Sequence, residues 1–109
     1  MLRLVLEDLP EGATVLIASV SGEEERSGNL SQNPRMTIRE DVSSVEIFKI
    51  HEGWVRNDRK ILLRVRKAGY KPLQWTFEEI DFGNLDYLYR ELVVPVVCVE
   101  DLVYTKRPF

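Results

Sequence analysis

Cysteine is almost missing from this chain. Cys98 is the only one in 109 residues, which excludes an intrachain disulfide and speaks against a cysteine-based metal site. Histidine is as scarce, with His51 alone. A Ser-His-Asp constellation would need that histidine beside a nucleophile on a structured elbow, and no Gly-x-Ser-x-Gly is present. Metal centres need several ligands at set spacing. The acids Glu78, Glu79 and Asp81 lack the Asp-x-Asp-x-Asp-Gly order of a calcium loop. A glycine-rich phosphate loop is also lacking. So is a basic excess: 15 Lys and Arg against 18 Asp and Glu leave a net charge of −3, the opposite of the usual nucleic-acid binder. No apolar run approaches the roughly 18 residues of a membrane span. These absences point to a protein without cofactor, metal, nucleic-acid or membrane partner, and to no enzyme.

What is present describes an ordinary folded chain, 44% apolar and 30% charged. The length fits one domain over residues 1–109, long enough for a core without covalent staples. Period-two alternation dominates. It starts at once, with Leu2, Leu4 and Leu6 on one face and Arg3, Val5 and Glu7 on the other. If Met1 is the natural start, this leaves no charged n-region and apolar block of a signal peptide, and the expectation is a protein kept in a cytoplasm.

The turn "LPEG", with Pro at its second position, followed by "ATVLIASV", reads as a hairpin. Residues 21–34 are the polar loop, and their three glutamates read as a solvated tip. "RMTIRE" alternates again, with Met36 and Ile38 expected inward. Over residues 41–60 the alternation of Val45, Ile47 and Lys49 with Glu46, Phe48 and Ile50 favours a strand. A helical turn at 41–48, capped by Asp41 or Ser43, is the alternative. The stretch 61–67 places Ile61, Leu63 and Val65 inward and Leu62, Arg64 and Arg66 outward. Gly69 and Pro72 then turn the chain, and Leu73, Trp75 and Phe77 point inward. Tyr70 is expected to fold against Trp75. Residues 93–99 are apolar on both faces, as in a strand buried within a sandwich, although Pro95 argues for an edge or a bulge. About seven short strands with turn chemistry between them predict an all-β, antiparallel β-sandwich.

Two regions are candidates for contact with partners. The first is the basic turn, with Arg64, Arg66, Lys67 and Lys71 around Gly69 and Tyr70. Its simplest reading is the outer teeth of a strand plus a solvated turn. Its functional reading is a docking patch for an acidic neighbour, since a guanidinium pairs a carboxylate in a planar fork. The second is the tail over 102–109, where Tyr104 and Phe109 flank Lys106 and Arg107. That tail is either a frayed terminus or a docking arm of hot-spot composition. Trp54, Tyr70 and Trp75 form a third set, a stacking platform if the chain is instead a carbohydrate- or ligand-binding sandwich. In "VVCVE", Cys98 has an apolar setting that keeps a thiol protonated and inert.

The stretches "LRLVLEDLPEGATVLIA", "ILLRVRKAGYKPLQWTF" and "VVPVVCVED" together resemble a recurrent β-sandwich of tailed-phage virion proteins. The pattern is an early strand closed by Leu-x-x-Gly, a later strand running into Gly-Tyr-x-Pro, and a Val-rich segment ending in Glu-Asp. Here these lie at 9–15, 63–72 and 96–101. The same core resembles the Ig-like or transthyretin-like (carboxypeptidase-regulatory) sandwich. The resemblance implies a virion structural protein, such as a capsid decoration or cement protein or another head- or tail-associated component. It would be assembled in the host bacterial cytoplasm, bind a major capsid or tail protein, and self-associate. Segment 43–60 is longer and more aromatic than the pattern, and the chain runs on past Asp101. These departures are where this member's own contacts are expected.

Overall fold

The computed structural model describes residues 2–28, 30, 35–56, 58–83 and 90–101. Seven strands run through them: β1 (Leu2–Glu7), β2 (Thr14–Ser21), β3 (Met36–Arg39), β4 (Glu46–Ile50), β5 (Arg59–Arg66), β6 (Leu73–Phe77) and β7 (Arg90–Pro95). A short helix, α1 (Gly22–Ser27), and 3₁₀ turns at Glu52–Val55 and Glu79–Phe82 join them. The strands form a three-stranded sheet, β4-β1-β7, and a four-stranded sheet, β3-β2-β5-β6, packed as a sandwich. Every ladder is antiparallel except β1 with β7, which is parallel.

One core fills the space between the sheets. Leu2, Leu4 and Leu6 of β1, with Phe48 and Ile50 of β4, meet Val15 and Ile17 of β2 and Ile61, Leu63 and Val65 of β5. Leu73, Trp75 and Phe77 pack against the same core while partly exposed. The alternation of Phe48 and Ile50 inward against Ile47 and Lys49 outward produces β4 as a strand. The helical alternative at 41–48 does not form: Asp41 sits at φ 50, and Val42 is buried and bonded through its backbone to Ala13 and Gly12.

Several expectations are corrected. β1 and β2 are not a hairpin, because they belong to opposite sheets. Both bury an apolar face in the same core, so the chain must cross between layers. It does so through a turn in which Ala13 N–H donates to the Pro10 carbonyl at 3.1 Å. Pro10 is therefore the first residue of the turn, not the second, and Gly12 supplies the positive φ of 80° that its third position needs.

Ile38 is 53% exposed and not inward. The β2–β3 register pairs it with Leu16 and pairs Met36 with Ala18, which are on the face turned away from Val15 and Ile17. Met36 instead joins a second cluster on that outer face, with Ala18, Val20, Leu30 and Leu62. Leu62 thus points outward, as expected, and is buried all the same. The polar loop holds a helix. Ser21 Oγ accepts from Glu24 N–H at 3.1 Å, the Glu24 carboxylate accepts from Ser21 N–H, and Gly28 ends the helix in the left-handed region. This capping box turns the three glutamates from a loop tip into a first helical turn.

The last strand is not buried on both faces. β7 ends at Pro95 and forms an edge of its sheet. Val94 and Val96 enter the core, whereas Val93, Val97 and Val99 are 44%, 71% and 52% exposed. Val96 N–H donates to the Glu7 carbonyl at 2.8 Å. The preceding position, turned to the open edge, has no N–H because it is Pro95, the placement expected of an edge proline. Residues 99–101 do not extend the core strand; they bridge to the turn at Tyr70.

Candidate functional surfaces

The basic turn is built by β5, β6 and the residues between. Tyr70 N–H donates to the Lys67 carbonyl at 3.1 Å, and Gly69 takes φ 89, so Lys67 to Tyr70 form a turn that needs glycine at its third position. The four cations do not form one cluster. Arg64 lies on the outer face of the four-stranded sheet, where Nε and a terminal nitrogen donate to Gln74 Oε1 at 3.1 and 2.9 Å. Lys67 Nζ donates to the Glu11 carbonyl and lies over Gly12, tying this turn to the β1–β2 crossing. Arg66 and Lys71 remain exposed. Arg66, Lys67 and Tyr70 line a shallow cleft of about 460 Å³ with Gly12, Thr14 and Pro72.

Tyr70 does not fold against Trp75. It is 38% exposed, and its backbone pairs with Glu100. Lys71 N–H donates to the Val99 carbonyl and Asp101 N–H to the Gly69 carbonyl, both at 2.9 Å. The chain at Asp101 is therefore fastened to the basic turn. Tyr104, Lys106, Arg107 and Phe109 of the tail lie outside the described residues.

Burial raises the Cys98 thiol above its ordinary range, and the nearby Lys67 ammonium opposes this in part. The folded protein is expected to react with a thiol reagent at neutral pH several-fold more slowly than the urea-unfolded chain, since only the thiolate attacks. Equal rates in a timed Ellman assay would contradict that.

Comparison with protein-family models, curated proteins and solved structures gives no match.

The aromatic platform is not assembled. Trp54 and Trp75 pack partly buried against the core. Tyr70 lies near Thr14, at the start of β2, whereas Trp54 accepts from Ser19 near the strand's other end. His51 is exposed, and its Nδ1 accepts from Gly53 N–H at 3.0 Å, capping the Glu52–Val55 turn. Among the described residues no cluster of three metal-ligating side chains occurs.

Sequence reasoning passed over a polar network at that second end. Ser19 is fully buried. Its Oγ donates to the Trp54 carbonyl at 2.7 Å and accepts from Arg59 Nε at 2.8 Å. Arg59 also donates to the Ser19 carbonyl at 2.6 Å. Around it Arg59 pairs with Glu24 at 3.5 Å and Lys60 with Glu25 at 3.1 Å, fastening α1 to β5. The available signal was Ser19 itself, in phase with Val15 and Ile17 on an inward face. Arg90 has a similar role across the sandwich. It donates to Glu79 and to the carbonyls of Glu79 and Gly83, holding the Glu79–Phe82 turn that carries the buried Phe82.

Proposed function

We propose that this chain is a non-enzymatic structural protein of a tailed-phage virion, a capsid decoration or cement protein or another head- or tail-associated component. In this reading it docks onto a capsid or tail protein through the basic turn. The reading rests on the motif resemblance for its class. The observation that carries the docking site is the fastening of Asp101 to Gly69. It brings Asp101, the residue that precedes the 102–109 tail in sequence, against the turn that carries Arg66, Tyr70 and Lys71. A partner fitted to this corner presents carboxylates, which Arg66 is suited to grip in a planar fork.

Mass spectrometry of particles purified from a phage that encodes the chain tests the class; particles that lack it overturn the reading. Arg66 and Lys71 are both exposed, so R66E/K71E is expected to fold and melt as the wild type does. Its incorporation into particles is expected to fall by about a hundredfold or more, because like-charge juxtaposition at an interface costs several kcal/mol. Deletion of residues 104–109 is expected to weaken incorporation as well. Full incorporation of R66E/K71E would place the docking site elsewhere.

A further inference from the structure

The two open sides of the sandwich are finished differently. On the side of β6 and β7, Leu73, Trp75 and Phe77 of β6 and Leu92 of β7 all pack on the core. On the side of β3 and β4, which are outer strands of their sheets, β3 has no such residues to offer. Its register sets Arg39 opposite Val15 and Thr37 opposite Ile17, so its core-facing positions hold a guanidinium and a hydroxyl. Both residues are exposed although they face inward. A groove of about 430 Å³ lies along this side. Residues 47–50 of β4 form one wall, and Thr37, Arg39, Ile17 and Trp54 form the other. Successive side chains of a strand alternate between faces, so four consecutive residues line one groove together along the strand's edge. No strand lies beyond β4 among the described residues. Alternate N–H and C=O groups of its backbone therefore open into the groove, as on any bare sheet edge.

The charges of the groove select its occupant. Arg39 and Lys49 line it, and no carboxylate does. The acids nearest in sequence, Glu40, Glu46 and Glu52, are not among its lining residues. Glu46 is held by Arg39 at 2.8 Å and Glu52 by Arg56 at 2.7 Å. The Arg39 guanidinium also lies 4.7 Å over the Phe48 ring, which keeps it against the wall of the groove. Lys49 is paired in register with Arg3, a like charge, and Arg3 turns to Glu91 at 3.7 Å. No ion pair engages Lys49 among the described residues. Arg35 adds a further cation at the Trp54 end, where it donates to the Gly53 carbonyl at 3.3 Å.

We propose that this groove takes an extended acidic segment of a partner protein, added as a strand to the free edge of β4. In strand addition the main-chain hydrogen bonds supply affinity and the surroundings of alternate side chains supply selectivity. Inward side chains of the added strand fall beside Phe48 and Ile50, the core-facing residues of β4, toward Ile17 and Trp54, and are apolar. Outward side chains fall beside Ile47 and Lys49 and include a carboxylate next to the lysine. A basic strand is refused by Lys49 and Arg39. A lysine on a bare edge is a guard against indiscriminate pairing; here the same lysine admits a strand that brings its own anion. The proposal stands apart from the virion reading and does not need it.

The test uses an acetylated, amidated hexapeptide of alternating Glu and Val. It is titrated to millimolar concentration into the isotope-labelled full chain and followed by amide NMR. Saturable shifts are expected at residues 37–39 and 47–50, and hydrogen exchange of alternate β4 amides is expected to slow with occupancy. The Lys-Val counterpart is expected to do neither. Lys49→Glu changes an exposed residue and is expected to melt as the wild type does. It is expected to weaken the Glu-Val peptide by about fivefold, the scale separating opposite from like charges across a strand pair, and to strengthen the Lys-Val peptide. Thr37→Phe, also at an exposed position, fills the groove and is expected to weaken the Glu-Val peptide. Absence of saturable shifts, or shifts confined to other residues, overturns the proposal. Shifts without slowed exchange would make the groove an anion site and overturn strand addition. A Lys49→Glu variant that treats both peptides as the wild type does would overturn the selection by charge.

Discussion

Leu4→Ala is expected to lower the folding free energy by about 3 kcal/mol, within the roughly 2–5 kcal/mol found for Leu-to-Ala changes in cores. Leu4 has no exposed surface and sits on the central strand of its sheet, opposite Phe48 on β4 and Leu92 on β7. Truncation removes three carbons and leaves a void between strands paired on both sides, which cannot close without breaking a ladder. A domain of this size has about 5–15 kcal/mol in total, so the loss is a large share. The melting temperature should fall by roughly 10–20 °C. Ile38→Ala is the matched control. Alternation alone places Ile38 in the core, yet its 53% exposure puts the change within about 0.5 kcal/mol, as for a surface site. Urea titrations of both variants at unchanged slope check the pair. An Ile38 variant as damaged as the Leu4 variant would show that the outer face is covered.

Ser19→Ala is expected to cost about 2 kcal/mol, although it removes one oxygen and creates almost no void. The loss strands the Trp54 carbonyl and Arg59 Nε, which Ser19 Oγ now satisfies at 2.7 and 2.8 Å. A buried polar group left unpaired costs roughly 1–3 kcal/mol, more than the bond gained in forming it. The surrounding pairs of Lys60 with Glu25 and Glu78 are about a third to two-thirds exposed and contribute little in comparison. A double-mutant cycle with Arg59→Ala separates the two contributions. A coupling of about 1–2 kcal/mol is expected for groups in direct contact. If the two losses simply add, Ser19 acts by packing and the network is incidental.

Strand identity was legible in the chain wherever one face is buried and the other wet. Leu2, Leu4, Leu6 and Phe48, Ile50 alternate because a pleated strand sends successive side chains to opposite faces, and their inward set is the observed core. The Gly69 turn was legible for a related reason: a positive φ at one residue is a local demand that glycine meets without strain. The thiol setting of Cys98 could be read from its apolar neighbours in the same way.

Pairing was not legible. Alternation says that a strand has two faces, but not which partner lies beside it, or whether the face away from the sandwich is itself covered. Met36 and Ile38 carry the same local pattern. Only tertiary contact decides that Met36 packs beside Leu30 and Leu62 while Ile38 is left in solvent. The turn at Pro10–Ala13 has hairpin composition, and yet it crosses between sheets because β1 and β2 press against one core from opposite sides. The parallel pairing of β1 with β7, the burial of Ser19 against Arg59 and the fastening of Asp101 to Gly69 join residues far apart in sequence. The sequence by itself therefore determined the strands with one buried and one wet face, the inward residues of β1 and β5 and the glycine turn, each set by neighbours within a few positions. The tertiary structure decided the sheet order, the polar network and the two candidate surfaces, because each depends on which distant segments the packing of a shared core brings together.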